Sequence, residues 1–101
     1  MKNQSIVIAR TILNQINEFD RWALMAFGAQ NFVALDESKE YQGGVRFNVN
    51  GLRHKGCVMI QLRWVDDYTV SFVNTKNEMV KMYEGVYCDM LVNILDWLEG
   101  K

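Results

Sequence analysis

Residues 45–82 read VRFNVNGLRHKGCVMIQLRWVDDYTVSFVNTKNEMVKM, a run in which apolar and polar residues alternate and only turn-forming clusters interrupt. Val45, Phe47 and Val49 fall on one side of an extended chain, and Arg46, Asn48 and Asn50 on the other. This is the period of a half-buried strand. Asn50-Gly51 opens a turn. Beyond the tip Leu52-Arg53-His54-Lys55-Gly56 the pattern resumes, with Val58, Ile60, Leu62 and Trp64 inward and Met59, Gln61 and Arg63 outward. Asp66-Asp67 turns the chain, because aspartate carboxylates bond the backbone that follows them. Val70 and Phe72 continue the inner face. After the turn Asn74-Thr75-Lys76-Asn77, strict alternation places Val80 and Met82 inward and Met79, Lys81 and Tyr83 outward. Gly85 is expected to end the sheet.

Helical spacing flanks this region. Ile6, Ala9, Leu13 and Ile16 share one side of a helix over residues 4–19, with Asn3 or Ser5 as cap. Leu91, Leu95 and Leu98, flanked by Met90, Ile94 and Trp97, recur at the same period up to Gly100. The run from Trp22 to Phe27 is apolar on both faces, so its period does not separate strand from helix; a strand is preferred. Phe32 to Leu35 follows, then a solvated loop over Asp36–Glu40 that ends at Gly43-Gly44, glycines read as serving turns. Consecutive strands joined by short turns pair as antiparallel neighbours, and the apolar face of the sheet must be covered. The expected architecture is one α+β domain over residues 1–101. It has two layers, an antiparallel meander of four or five strands with the N- and C-terminal helices packed on one face. Trp22, Trp64 and Trp97 are assigned to the core.

Composition limits function. The 101 residues are 50% hydrophobic and 23% charged with a formal charge of −1, which gives no global attraction to polyanions. Charge is unevenly spread: from Gly44 to Val65 the charged residues are Arg46, Arg53, Lys55 and Arg63, whereas Glu84 to Lys101 holds four acids and one base. No apolar run approaches the roughly 20 residues that span a bilayer. Arg10 interrupts the first apolar run too early for a secretory signal, so the cytoplasm is the expected compartment and no membrane partner is expected. Cys57 and Cys88 read as small buried hydrophobes.

Chemistry-bearing residues are few. His54 is the only histidine, the residue type suited to acid-base work near neutral pH, but it falls on a loop tip between two cations; a catalytic role would require a pocket joining it to an acid such as Asp67. Asp66-Asp67 lacks the converging oxygens of a hard-cation site. Ser5, Ser38 and Ser71 have no nucleophile signature, and no glycine cluster has the spacing of a phosphate loop. No catalytic residue, metal site or cofactor is assigned. The expected binding surface is the outer sheet face, with Arg46, Asn48, Met59, Gln61, Arg63, Ser71, Lys81 and Tyr83, together with the tip Arg53, His54 and Lys55. Thr69 and Val73 share that face.

Several runs carry a resemblance: Thr11-Ile12-Leu13, Gly28-Ala29-Gln30-Asn31-Phe32-Val33, Val58-x-Ile60-x-Leu62, Asp67-Tyr68-Thr69-Val70-Ser71-Phe72 and Glu84-Gly85-Val86-Tyr87-Cys88-Asp89-Met90-Leu91. Together they resemble a group of short proteins of unassigned activity encoded by bacteriophages and prophages. The last residues, Trp97-Leu98-Glu99-Gly100-Lys101, depart from that group's pattern. The resemblance brings no catalytic residues. It implies a phage-related accessory protein that acts by binding, without catalysis, to a host or phage protein. The alternative is a single-stranded nucleic-acid binder using Arg46, Arg63, Lys81, Tyr83 and the loop tip. An unpaired edge strand also suggests a homodimer.

Overall fold

The computed structural model describes residues 2–19, 22, 25, 28–50 and 54–95, with the side chains of 2–5 and 19 outside that description. Helix α1 (Lys2–Phe19) precedes five strands: β1 (Gln30–Leu35), β2 (Tyr41–Asn50), β3 (Lys55–Arg63), β4 (Tyr68–Asn74) and β5 (Met79–Val86). A 3-10 turn (Cys88–Met90) leads into helix α2 (Leu91–Leu95). The strands form one antiparallel sheet in the order β1-β2-β3-β4-β5, so the expected meander is present. Of the run 22–27 only Trp22, in a turn, and Met25, with helical backbone, are described. The strand expected there, and Arg53 and Trp97, lie outside the described residues. No described helix is long and apolar enough to cross a membrane.

Alternation in β2 to β4 decides what is buried. Val45, Phe47, Val58, Ile60, Val70 and Phe72 are inaccessible to solvent or nearly so, as the period-two reading requires. They join Ile8, Ala9, Ile12 and Ile16 of α1, Val86 of β5, and Leu91 and Leu95 of α2 in one core. Helix α1 lies over β1 and β2. Its buried stripe runs through Ile8, Ile12 and Ile16, a spacing of four, while Ile6 is exposed. Of the expected stripe, Ala9 and Ile16 are buried and Leu13 packs against the core, so only Ile6 departs from it, its place being taken by Ile8. The helix begins at Lys2, so Asn3 and Ser5 fall within it rather than before it. Each fully buried isoleucine contributes about 1.5–3 kcal/mol. At the rim of this core, the Tyr68 phenol donates to Gln15 Oε1 at 2.7 Å. Burial pushes its pKa above the ordinary value; the Gln15 hydrogen bond opposes the rise, and Cys88 and Asp66 add to it.

Two tryptophans leave the core to which they were assigned. Trp64 is 51% exposed in the β3–β4 turn, where its indole N–H donates to the Ser38 carbonyl at 3.1 Å. Trp22 is exposed as well. An indole with a polar edge is readily held at the surface by one hydrogen bond. Gly43 and Gly44 also differ from their reading, because β2 starts at Tyr41 and both lie within it. A Cβ on Gly44 would fall 2.3 Å from the Ile60 carbonyl oxygen and 2.9 Å from the Gln61 Cα. Glycine is there because β2 and β3 approach too closely for a side chain.

Candidate functional site

The sheet face turned away from α1 is assembled row by row from the register. One row runs Val33–Arg46–Met59–Ser71–Met82, and the next Gln30–Asn48–Cys57–Val73–Met79. Cross-strand partners point to the same side of a sheet, so these ten side chains share one surface. Arg46, Asn48, Met59, Gln61 and Arg63 therefore stand on the open face, as their alternation indicated. Arg63 keeps its expected exposure in part, but its Nε lies 3.1 Å from Asp67 Oδ1. Its charge is partnered within the chain. The neighbouring turn is held by Gln42, whose Nε2 donates to the Arg63 carbonyl at 3.0 Å and to Asp66 Oδ1 at 3.1 Å.

Four assigned residues are placed differently. The β4–β5 register shifts by one residue at Val80, between the pairs Val73–Met79 and Phe72–Lys81. One extra residue inverts the facing of those that follow it, here until a second shift between Tyr83 and Val86 restores it. Lys81 and Tyr83 consequently pair with Phe72 and Val70 on the covered side, and Met82 moves to the open side opposite Ser71. The Tyr83 ring stands edge-on to Phe72 at 6.2 Å, and Lys81 Nζ donates to the Tyr83 hydroxyl at 3.0 Å. His54 is buried at 5% exposure rather than free on a tip. Its Nε2 lies 3.0 Å from the Val73 carbonyl oxygen and its ring is 5.6 Å from Phe72. It continues the inward parity of Val58 and Ile60 to the end of β3. Lys55, beside it, is exposed.

Ser71 is on the open face yet only 2% exposed, and Thr69 and Val73 are buried with it. Short β4 side chains lie between longer ones on β3 and β5, so they form the floor of the face rather than its display. Among the described residues the Thr69 hydroxyl has no hydrogen-bond partner. His54 and Asp67, the acid-base pair a catalytic reading would need, stand at opposite ends of β3, one preceding Lys55 and the other following Arg63. No group of three or more His, Cys, Asp or Glu side chains converges on a metal position among the described residues.

Two adjoining hollows open on this face. Arg46, Cys57, Met59, Val73, Asn77 and Met79 line one of about 230 Å³. Arg46, Asn48, Gly56, Cys57, Asn74, Thr75 and Asn77 line the other, of about 280 Å³. Asn74 shapes the far wall of the second: its Oδ1 accepts from the Lys76 and Glu78 backbone N–H groups at 2.9 and 3.0 Å. Arg46 is the one charged side chain in either lining, and among the described residues it has no hydrogen-bond or ion-pair partner. Met79, 56% exposed, closes the first hollow on its β5 side, and Met82, 48% exposed, stands on the same face at the β5 end of the row that begins beside Arg46. Strict alternation missed these two as a pair because the bulge at Val80 puts both on one face. The only available signal was the richness of that segment in methionine.

No protein family matches the chain, and neither a curated protein nor a solved structure is found similar to it.

Proposed function

We propose that this protein is a small interaction module, acting without catalysis, that docks on another protein through the open face of its sheet. In this reading the N- and C-terminal helices together seal the opposite face and leave this one for a partner. The observation that carries it is a methionine surface, half-buried Met59 with exposed Met79 and Met82, on the same face as the unpartnered Arg46. Methionine is flexible and polarisable, suits surfaces that adapt to a partner, and with arginine is enriched where proteins meet. The resemblance to phage and prophage proteins makes a host or phage protein in the cytoplasm the proposed partner, and the chain a phage-type accessory protein.

The open face is better suited than the edges. Both edge strands are bulged, β1 between Gln30 and Val33 and β5 at Val80, leaving short regular ladders at which a second copy could add. Bulged edges resist strand addition. Single-stranded nucleic acid is a weaker fit, because Tyr83, Lys81 and His54 face the covered side and Arg63 is engaged by Asp67. Stacking rings within a basic groove would be required.

Affinity capture with the full chain and with a Met79→Asp/Met82→Asp variant tests the reading. A protein retained by the first and lost by the second is expected. Recovery of the same proteins by both, or of none by either, overturns it.

A further inference from the structure

Building on that reading, we infer that the hollow beside Arg46 receives an apolar side chain of the partner, with a neighbouring carboxylate of the same segment paired to the Arg46 guanidinium. The class of partner is an acidic, apolar-bearing stretch of polypeptide.

Shape and lining favour a side chain. The hollow has a floor of Cys57 and Val73, both nearly inaccessible, and walls of Met59 and Met79. At about 230 Å³ it falls below the roughly 300–1,000 Å³ typical of pockets that enclose small-molecule ligands. Flexible thioethers on both sides allow it to fit more than one aliphatic group.

Charge selects the partner. Neither of the two rows that cross the hollow contains a carboxylate, although the chain as a whole carries a formal charge of −1. An unpartnered guanidinium beside apolar surface favours a carboxylate, which it can hold through two parallel N–H bonds. A polyanion is a poorer match, since phosphate binding draws on several cations along a groove and Arg46 is the only cation in these linings. The turn beyond Asn74 already satisfies its own acid: Asn74 Nδ2 donates to Glu78 Oε1 at 3.2 Å, so the chain does not supply the missing carboxylate from that side.

The test uses the full chain labelled with 13C at its methionine methyls. It is titrated with a 12-residue peptide alternating glutamate and leucine, with the lysine–leucine counterpart, and with a 12-nucleotide oligothymidine. The acidic peptide is expected to shift the Met59 and Met79 methyls while Met90 stays in place. Arg46→Glu should weaken that binding by about ten- to a hundredfold, the usual loss for a charge-assisted hydrogen bond. The same exchange should make the lysine peptide the better ligand. Arg46 is exposed, so an unchanged unfolding midpoint for the variant establishes that any loss is one of binding. Equal binding of both peptides, preference for oligothymidine, or indifference to Arg46→Glu overturns the inference. So does the absence of any shift with the acidic peptide. Methyl shifts that do not depend on Arg46 overturn it while leaving the open face as a docking surface, and the capture experiment with the methionine variant decides that broader reading separately.

Discussion

Replacing Gly44 with alanine tests the closeness of β2 and β3, on which the placement of the open-face residues depends. The added Cβ would meet two backbone atoms, the Ile60 oxygen at 2.3 Å and the Gln61 Cα at 2.9 Å. Neither can rotate away, so the strands must separate by about 1 Å or the backbone must twist, at the cost of about 1–3 kcal/mol typical of overpacking. Alanine recovers about 0.4–1 kcal/mol by restricting the unfolded chain. A net loss of about 1–2 kcal/mol should lower the melting temperature by about 5–15 °C, at the 4–8 °C per kcal/mol usual for a domain of this size. Gly85→Ala is the control. That residue has φ +67 but open space around it, with only Asp67 Oδ2 at 4.0 Å, so its cost is left-handed strain alone, about 1 kcal/mol before the same recovery. Thermal unfolding followed by far-UV circular dichroism at pH 7 compares the two. A Gly44→Ala protein as stable as the parent, or more stable than Gly85→Ala, would refute the strand spacing described above.

Ile12→Ala should cost about 2–5 kcal/mol in urea unfolding, the range for a large-to-small change at a fully buried site, whereas Ile6→Ala should cost well under 1 kcal/mol. Similar losses for both would contradict the stripe through Ile8, Ile12 and Ile16. Because the folded Tyr68 phenol titrates above its unfolded value, its contribution is complete below about pH 10 and falls as pH rises through the folded pKa. Tyr68→Phe should lower the urea midpoint at pH 8 through loss of the Gln15 hydrogen bond and flatten the decline between pH 9 and 11; an unchanged slope would rule out that linkage.

Much of the fold was legible in the sequence where alternation was strict. Val45 to Val49 and Val58 to Leu62 each keep period two without interruption, and the structure puts their even or odd members on the faces that the pattern assigned. The candidate site was legible to the same extent: Arg46, Asn48, Met59 and Gln61 lie on β2 and β3 and came out on the open side. Errors gathered where one residue changes parity. Val80 is a bulge, and nothing local distinguishes its β-branched side chain from a regular inward position, so Lys81, Met82 and Tyr83 were all assigned to the wrong face. His54 was misplaced for another reason. Its flanking charges suggested a solvated tip, but β3 begins at Lys55 and the inward parity of that strand carries through to the histidine. Ser71 shows a third limit, because sequence alternation gives the direction of a side chain and not the height of its neighbours.

The facing of β5 is the claim on which the binding surface depends most directly, and nuclear Overhauser contacts across β4 and β5 measure it. Contacts are expected between the rings of Tyr83 and Phe72 and between the Met82 methyl and Ser71. Contacts from the Met82 methyl to the Phe72 ring, with the Tyr83 ring beside Ser71, would contradict it.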